Sequence, residues 1–150
     1  MSLAESLAAF QDRLSLTEIR CVHVAARLEG DVPVVPEMAT VTFPDPKYLL
    51  ESGRYSALIE AELVFSDSND DPVARVGAGF VVDTAMEPGE PPEDEVVSTY
   101  VRFNTFFLAY PYLREALQSA SVRVGMPPMP LPMLDRSESM PELIEIVRSE

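Results

Sequence analysis

The chain offers little with which to do covalent chemistry. Its one thiol, Cys21, and its one imidazole, His23, stand two residues apart. In a strand that spacing puts both side chains on one face, yet a nucleophile–base set needs a third group to orient the ring. A lone Cys and a lone His also fall short of the four ligands of an ordinary zinc site, so no metal is expected. The sequence contains no glycine-rich phosphate loop, G-x-S-x-G, H-E-x-x-H or C-x-x-C. Glu60 and Glu62 alternate with apolar residues in a strand pattern, on the solvated side where carboxylates usually only solubilise. The residues therefore predict a protein that is not an enzyme and takes no cofactor, with Cys21 a small half-buried strand residue.

What the sequence does concentrate is adaptable apolar surface. Tyr100, Phe103, Phe106, Phe107, Tyr110 and Tyr112 precede a ribbon from Met126 to Leu134, MPPMPLPML. Phe106 and Phe107 diverge by about 100° on a helix, so one stripe cannot bury both. Methionine is flexible and polarisable, and Met-rich surfaces repack around varied partners. These side chains either fill a core or an oligomer interface, or form an exposed binding surface.

The elements that must position them follow from periodicity. Phe106, Tyr110, Leu113, Leu117, Ala120 and Val124 form one helical stripe, and Gly125 ends it by turning left-handed without steric cost. The prolines beyond bar both helix and central strand, leaving an extended linker over 126–135. Upstream, Arg54–Ser66 alternates with Tyr55, Ala57, Ile59, Ala61, Leu63 and Phe65 on the covered face. Pro72–Thr84 does the same with Ala74, Val76, Ala78, Phe80 and Val82, and Asp67–Asp71 is turn chemistry between them. Gly77 and Gly79 on the other face suggest a twist or a close approach by another group. Thr17–Glu29 and Met38–Phe43 read as two further strands, and Lys47–Ser52 as a helical turn or an irregular edge. Residues 85–98 hold a proline-rich acidic crossover loop, read as solvated surface. Ser2 and Glu5 form a capping box for a short helix within 1–14, expected to pack on its own domain. A second capping box, Ser139-Met140-Pro141-Glu142, predicts a last helix bearing Leu143, Ile146 and Val147. The expectation is one α+β domain: a four-stranded antiparallel sheet, a long helix and a short C-terminal helix, with an extra N-terminal helix.

With 150 residues, 47% apolar and 24% charged, the chain suits one folded domain. A net charge of −14 argues against nucleic acid and anionic membranes. One cysteine is compatible with a reducing compartment. The N-terminus lacks a basic region before an apolar core, and no segment approaches a membrane span, so a cytoplasmic protein without membrane insertion is expected.

Tyr110-Pro111-Tyr112-Leu113-Arg114-Glu115-Ala116-Leu117, then Ser121-Val122-Arg123-Val124-Gly125 and the Pro-Leu-Pro run, resembles the SecB family of export chaperones. That family has a long helix with an F/Y-P-Y-A/L-R-E signature, a Pro/Leu linker and a second helix. The likeness is strongest over 97–134 and weaker, by pattern, over 17–84; residues 1–14 have no counterpart. The resemblance implies an ATP-independent holdase for unfolded polypeptides, either preproteins for export or an antitoxin. It implies a homotetramer, a dimer of dimers with the long helices between two sheet layers. Client binding would fall to Tyr100, Phe103, Phe106, Phe107, Met126, Met129, Leu131, Met133 and Leu134. Small or polar residues on the helix flank, Ala116, Gln118, Ser119 and Ser121, would form the dimer–dimer contact. SecA is a partner that the family allows, and two departures count against it. Ala74 or Arg75 stands where the family's strand usually has an acid, and no Cys or His follows His23. The alternative is a non-catalytic adaptor or structural oligomer whose apolar ribbon is permanently buried against one partner.

Overall fold

A computed structural model describes residues 1–30, 34–127 and 130–147. Helix α1 (Leu3–Asp12) opens on the capping box: Glu5 N–H donates to Ser2 Oγ (3.2 Å) and Ser2 N–H to the Glu5 carboxylate (3.0 Å). It packs on its own domain through Phe10, whose ring meets Tyr55 and Tyr100 edge-on at 5.6 and 5.3 Å. Strands β1 (Leu14–Leu28), β2 (Met38–Thr42), β3 (Lys47–Glu51), β4 (Arg54–Ser66) and β5 (Pro72–Met86) follow. Helix α2 (Asp94–Tyr100), a π-turn (Val101–Thr105) and α3 (Phe106–Arg123) then run on as one long helix. Strand β6 (Leu143–Val147) closes the chain's order of elements.

All strands form one antiparallel sheet in the order β1-β5-β4-β2-β6, with β2 and β3 end to end along one edge of β4. The β4–β5 hairpin is its centre. Every apolar residue assigned to the covered face of β4 and β5 is buried there, beneath the helix. Its turn is fixed by Asp67, whose carboxylate accepts from the N–H groups of Asn69 and Asp71 at 2.9 and 3.0 Å.

Three expectations are corrected. The sheet has six strands and not four. Lys47–Glu51 is a full strand, its register closed by Gly53 in the left-handed region (φ 79°). The C-terminal capping box starts no helix: Leu143–Val147 is extended and pairs with β2. A segment this short is at best a marginal helix without an apolar face packed on the core. The free edge of β2 offers the same residues a ladder at once, and their Ile and Val suit it.

The long helix also begins earlier than the stripe from Phe106 predicts. Val97, Val101 and Phe106 are all buried, and the step of five between the last two is out of phase for an α-helix. The π-turn absorbs one extra residue and brings both halves of the helix onto the sheet. Ala85 and Met86 end β5 and Asp94 opens α2, so the connection between sheet and helix runs over 87–93. Arg13 pins it, donating to the carbonyls of Glu87 and Glu90 at 2.9–3.1 Å. Gly89 leaves room for this, since a Cβ there would lie 2.9 Å from the guanidinium carbon.

Candidate functional site

The helix and the ribbon define the site, and the ribbon doubles back along the helix. Gly125 takes φ 81° at the end of α3, and Met126 N–H closes the turn on Ser121 O (3.0 Å). Tyr110 Oη then donates to Pro132 O (2.6 Å), Arg114 reaches Met133 Sδ (3.5 Å), and Met140 N–H donates to Arg102 O (3.1 Å). Partners at 121 for Met126, at 110 and 114 for Pro132 and Met133, and at 102 for Met140 mean that the described residues return antiparallel to the helix. Met126, Leu131 and Met140 anchor it as buried plugs, Leu131 at 1% exposure. Burial also pushes the Tyr110 phenol above its ordinary range.

This arrangement separates the residues expected to bind a client. Tyr100 is packed against Phe10 and Tyr55, and Phe106 is fully buried against Phe43, Phe107 and Tyr110. Phe107, Met126 and Leu131 are buried too. Phe103 (40%) and Met133 (83%) are exposed and Leu134 is half-buried. Met129 lies outside the described residues. In the single chain, five of the nine are thus core residues, held among the side chains of the helices, the sheet and the ribbon itself.

The helix-flank set divides in the same way. Ala116 is buried, and so is Ser121, whose Oγ donates to Leu117 O (2.6 Å). Both are thus part of the chain's own packing, in which α3 lies against β5 and β1. Gln118 is half-buried, and Ser119 is exposed with its hydroxyl on Glu115 (2.9 Å).

Apolar surface is also open on β1, away from the helix and the ribbon. Among the described residues strand β1 pairs only with β5, and Leu16, Val22, Val24 and Leu28 along it are exposed. Val24 and Leu28 share the helix-side face, opposite Ala78 and Ala74, beyond the reach of α3. Tyr112, half exposed on that flank of the helix, lies with its ring 6.0 Å from Phe80. The alternation of β1 was legible, but nothing local told that the helix would leave its covered face open.

The thiol and the imidazole do not meet. The register of β1 against β5 shifts between Cys21 and His23, which places Val22 in a bulge. Cys21 therefore falls opposite Phe80 on the helix side and His23 opposite Gly79 on the outer side, against the expectation of a shared face. The His23 ring lies over Gly79, where a Cβ would collide with Nε2, and that nitrogen is 3.0 Å from Glu60. The close approach expected at this glycine is thus a side chain. Around it, the outer face is laced by ion pairs: Arg20 and Arg54 on Asp83, and Arg75 on Glu29 and Glu62. Hydrogen bonds from Ser56 and Arg54 hold the Asp83 carboxyl below its ordinary range. Among the described residues no group of acids, His and Cys could hold a metal ion.

No protein-family model matches the sequence, and no curated protein matches it. The fold does match a solved structure, the Mycobacterium tuberculosis Rv1957 SecB-like chaperone in complex with a ChAD peptide from the Rv1956 HigA1 antitoxin. The TM-score is 0.76 at 19% identity, over 87% of this chain and 97% of that one. The fold is SecB-like.

Proposed function

We propose that the protein is a SecB-like holdase that captures unfolded polypeptides without ATP and keeps them soluble. The observation that carries this reading is the shared fold, since the chaperone that has it was solved with a peptide of an antitoxin bound. An antitoxin segment is accordingly a natural client; preproteins are the other class. Capture would be by equilibrium burial: extended apolar segments of the client lie against open apolar side chains, and the charge of −14 keeps the complex dispersed. Phe103, Met133, Leu134 and the β1 strip with Tyr112 are the groups available for this in a single chain. Handing clients to SecA is not part of the reading, for the two departures given above. No reaction on the client is part of it either.

The chaperone would work as a homotetramer in the cytoplasm. An unpaired 15-residue edge with exposed apolar side chains on β1 supports self-association, since such an edge left open invites aggregation. Gln118 and Ser119 on the helix flank support a second, polar contact between dimers. Among the described residues no helix is long and apolar enough to cross a membrane.

Met126 and Leu131, buried in the chain's own core, are open neither to a client nor to the one partner of the adaptor reading. The two readings separate on binding. Fluorescence anisotropy with labelled, reduced and carboxymethylated α-lactalbumin, a permanently unfolded chain, should report saturable binding that native α-lactalbumin lacks. Equal or absent binding of the two forms, with little uptake of a dye for apolar surface, would favour the adaptor.

A further inference from the structure

The chain's own C-terminal segment is held in the way an unfolded client has to be held. Beyond Gly125 its described residues form no regular structure before β6 apart from a turn over 135–138, bury apolar side chains one at a time, and are fixed by single hydrogen bonds to Tyr110 and Arg102. Its last described stretch, β6, pairs among the described residues with β2 alone, from Met38↔Val147 to Thr42↔Leu143, and Phe43 N–H extends the ladder to Glu142 O (3.1 Å). Its core-side residues Ile144 and Ile146 are only half-buried, although the Val41 and Ala39 they face are fully buried. Leu143 and Val147, on the outer side, are exposed. A backbone ladder and two half-buried side chains therefore hold β6. Both are sequence-tolerant, and any extended segment with apolar residues at i and i+2 reproduces them.

We propose that β6 is a self-strand: it occupies the edge of β2 to which an extended client segment adds, and the client binds by taking its place. This rests on the holdase reading. The surroundings set the client's chemistry. A depression of about 480 Å3 on the outer side of this edge is rimmed by Glu37, Asp67, Asp70 and Glu145. When β6 leaves, Glu145 leaves with it and three carboxylates remain. The preferred client strand alternates apolar residues toward the core with Lys or Arg toward that rim. Met140, buried and bonded through its N–H to Arg102 O, keeps the displaced segment attached. Because a client reaches only molecules whose edge is free, its apparent affinity falls by that fraction.

The test compares the affinities of three forms for the unfolded lactalbumin probe: the full chain, the chain ending at Glu142, and a lockable variant. The last carries Thr42→Cys and Leu143→Cys, which lie opposite each other on the outer face, with Cys21→Ser so that no other thiol competes. Truncation should tighten binding by about tenfold. Oxidising the lockable variant should weaken it, and reductant should restore it. A peptide of residues 140–147 should compete with the probe on the truncated chain, and its Ile144→Asp/Ile146→Asp version should not. Circular dichroism checks that each form folds; should the truncated chain fail, the oxidised and reduced forms decide alone. Equal affinity in all forms leaves the holdase reading standing and overturns the self-strand. No binding by any form removes the holdase reading and the self-strand with it.

Discussion

Replacing Leu131 by Ala asks whether the ribbon belongs to the core. Leu131 is 1% exposed in a segment with no regular structure of its own, whereas Met133, two residues on, is 83% exposed. The substitution removes three carbons, about 2.4 kcal/mol of transfer free energy at ~0.8 kcal/mol per methylene. A residual cavity adds to this, because a close-packed core closes only in part over a lost side chain, for a total of about 3 kcal/mol. Met133→Ala, made in water, should cost under about 0.5 kcal/mol. In urea, at one fixed protein concentration so that association does not blur the comparison, the first change should lower the midpoint by about 1.5 M for a slope near ~2 kcal/mol/M. The second should leave it in place. A cost below about 1 kcal/mol for Leu131→Ala would refute the reasoning, since a side chain lost from a packed core costs more.

Thr105→Val leaves the buried Tyr55 hydroxyl without the partner it has at 2.8 Å and should destabilise by about 1–3 kcal/mol in the same melts. Asp83 is depressed in the folded state, so its contribution is full above the ordinary carboxylate range and is lost as pH falls through its lowered pKa. Asp83→Asn should therefore flatten the loss of stability below about pH 4, read as melting temperature against pH. Ser119→Arg, on an exposed site of the helix flank, should shift tetramers toward dimers in light scattering and leave the circular dichroism unchanged. A contact of a few polar groups worth about 1 kcal/mol each has little margin against one bulky charge.

The parts of the fold that were legible are those whose signal is local and strong. β4 and β5 each show six or five alternating apolar residues, and a sheet covered on one side is the one arrangement that buries them all. The capping box at Ser2 marks α1 by its own hydrogen bonds. The same signature at Ser139 misled, because Leu143, Ile144, Ile146 and Val147 satisfy a helical spacing and an alternating one equally. Whether β2 has a free edge to receive them is decided about a hundred residues away. The bulge at Val22 is likewise invisible in sequence, and it alone separates Cys21 from His23. The candidate site was legible as composition, Met and aromatic residues around one helix, but not as accessibility. Periodicity tells that Phe106 and Phe107 point apart; it does not tell that Phe43 packs edge-on against Phe106 or that both rings end up buried.

The most direct test of the chaperone reading is light scattering of an aggregating client, reduced α-lactalbumin, mixed with the purified protein in the absence of nucleotide. The account predicts that scattering is suppressed as the protein approaches one oligomer per client, and that adding ATP changes nothing. An aggregation curve unaltered at severalfold excess of the protein would contradict it.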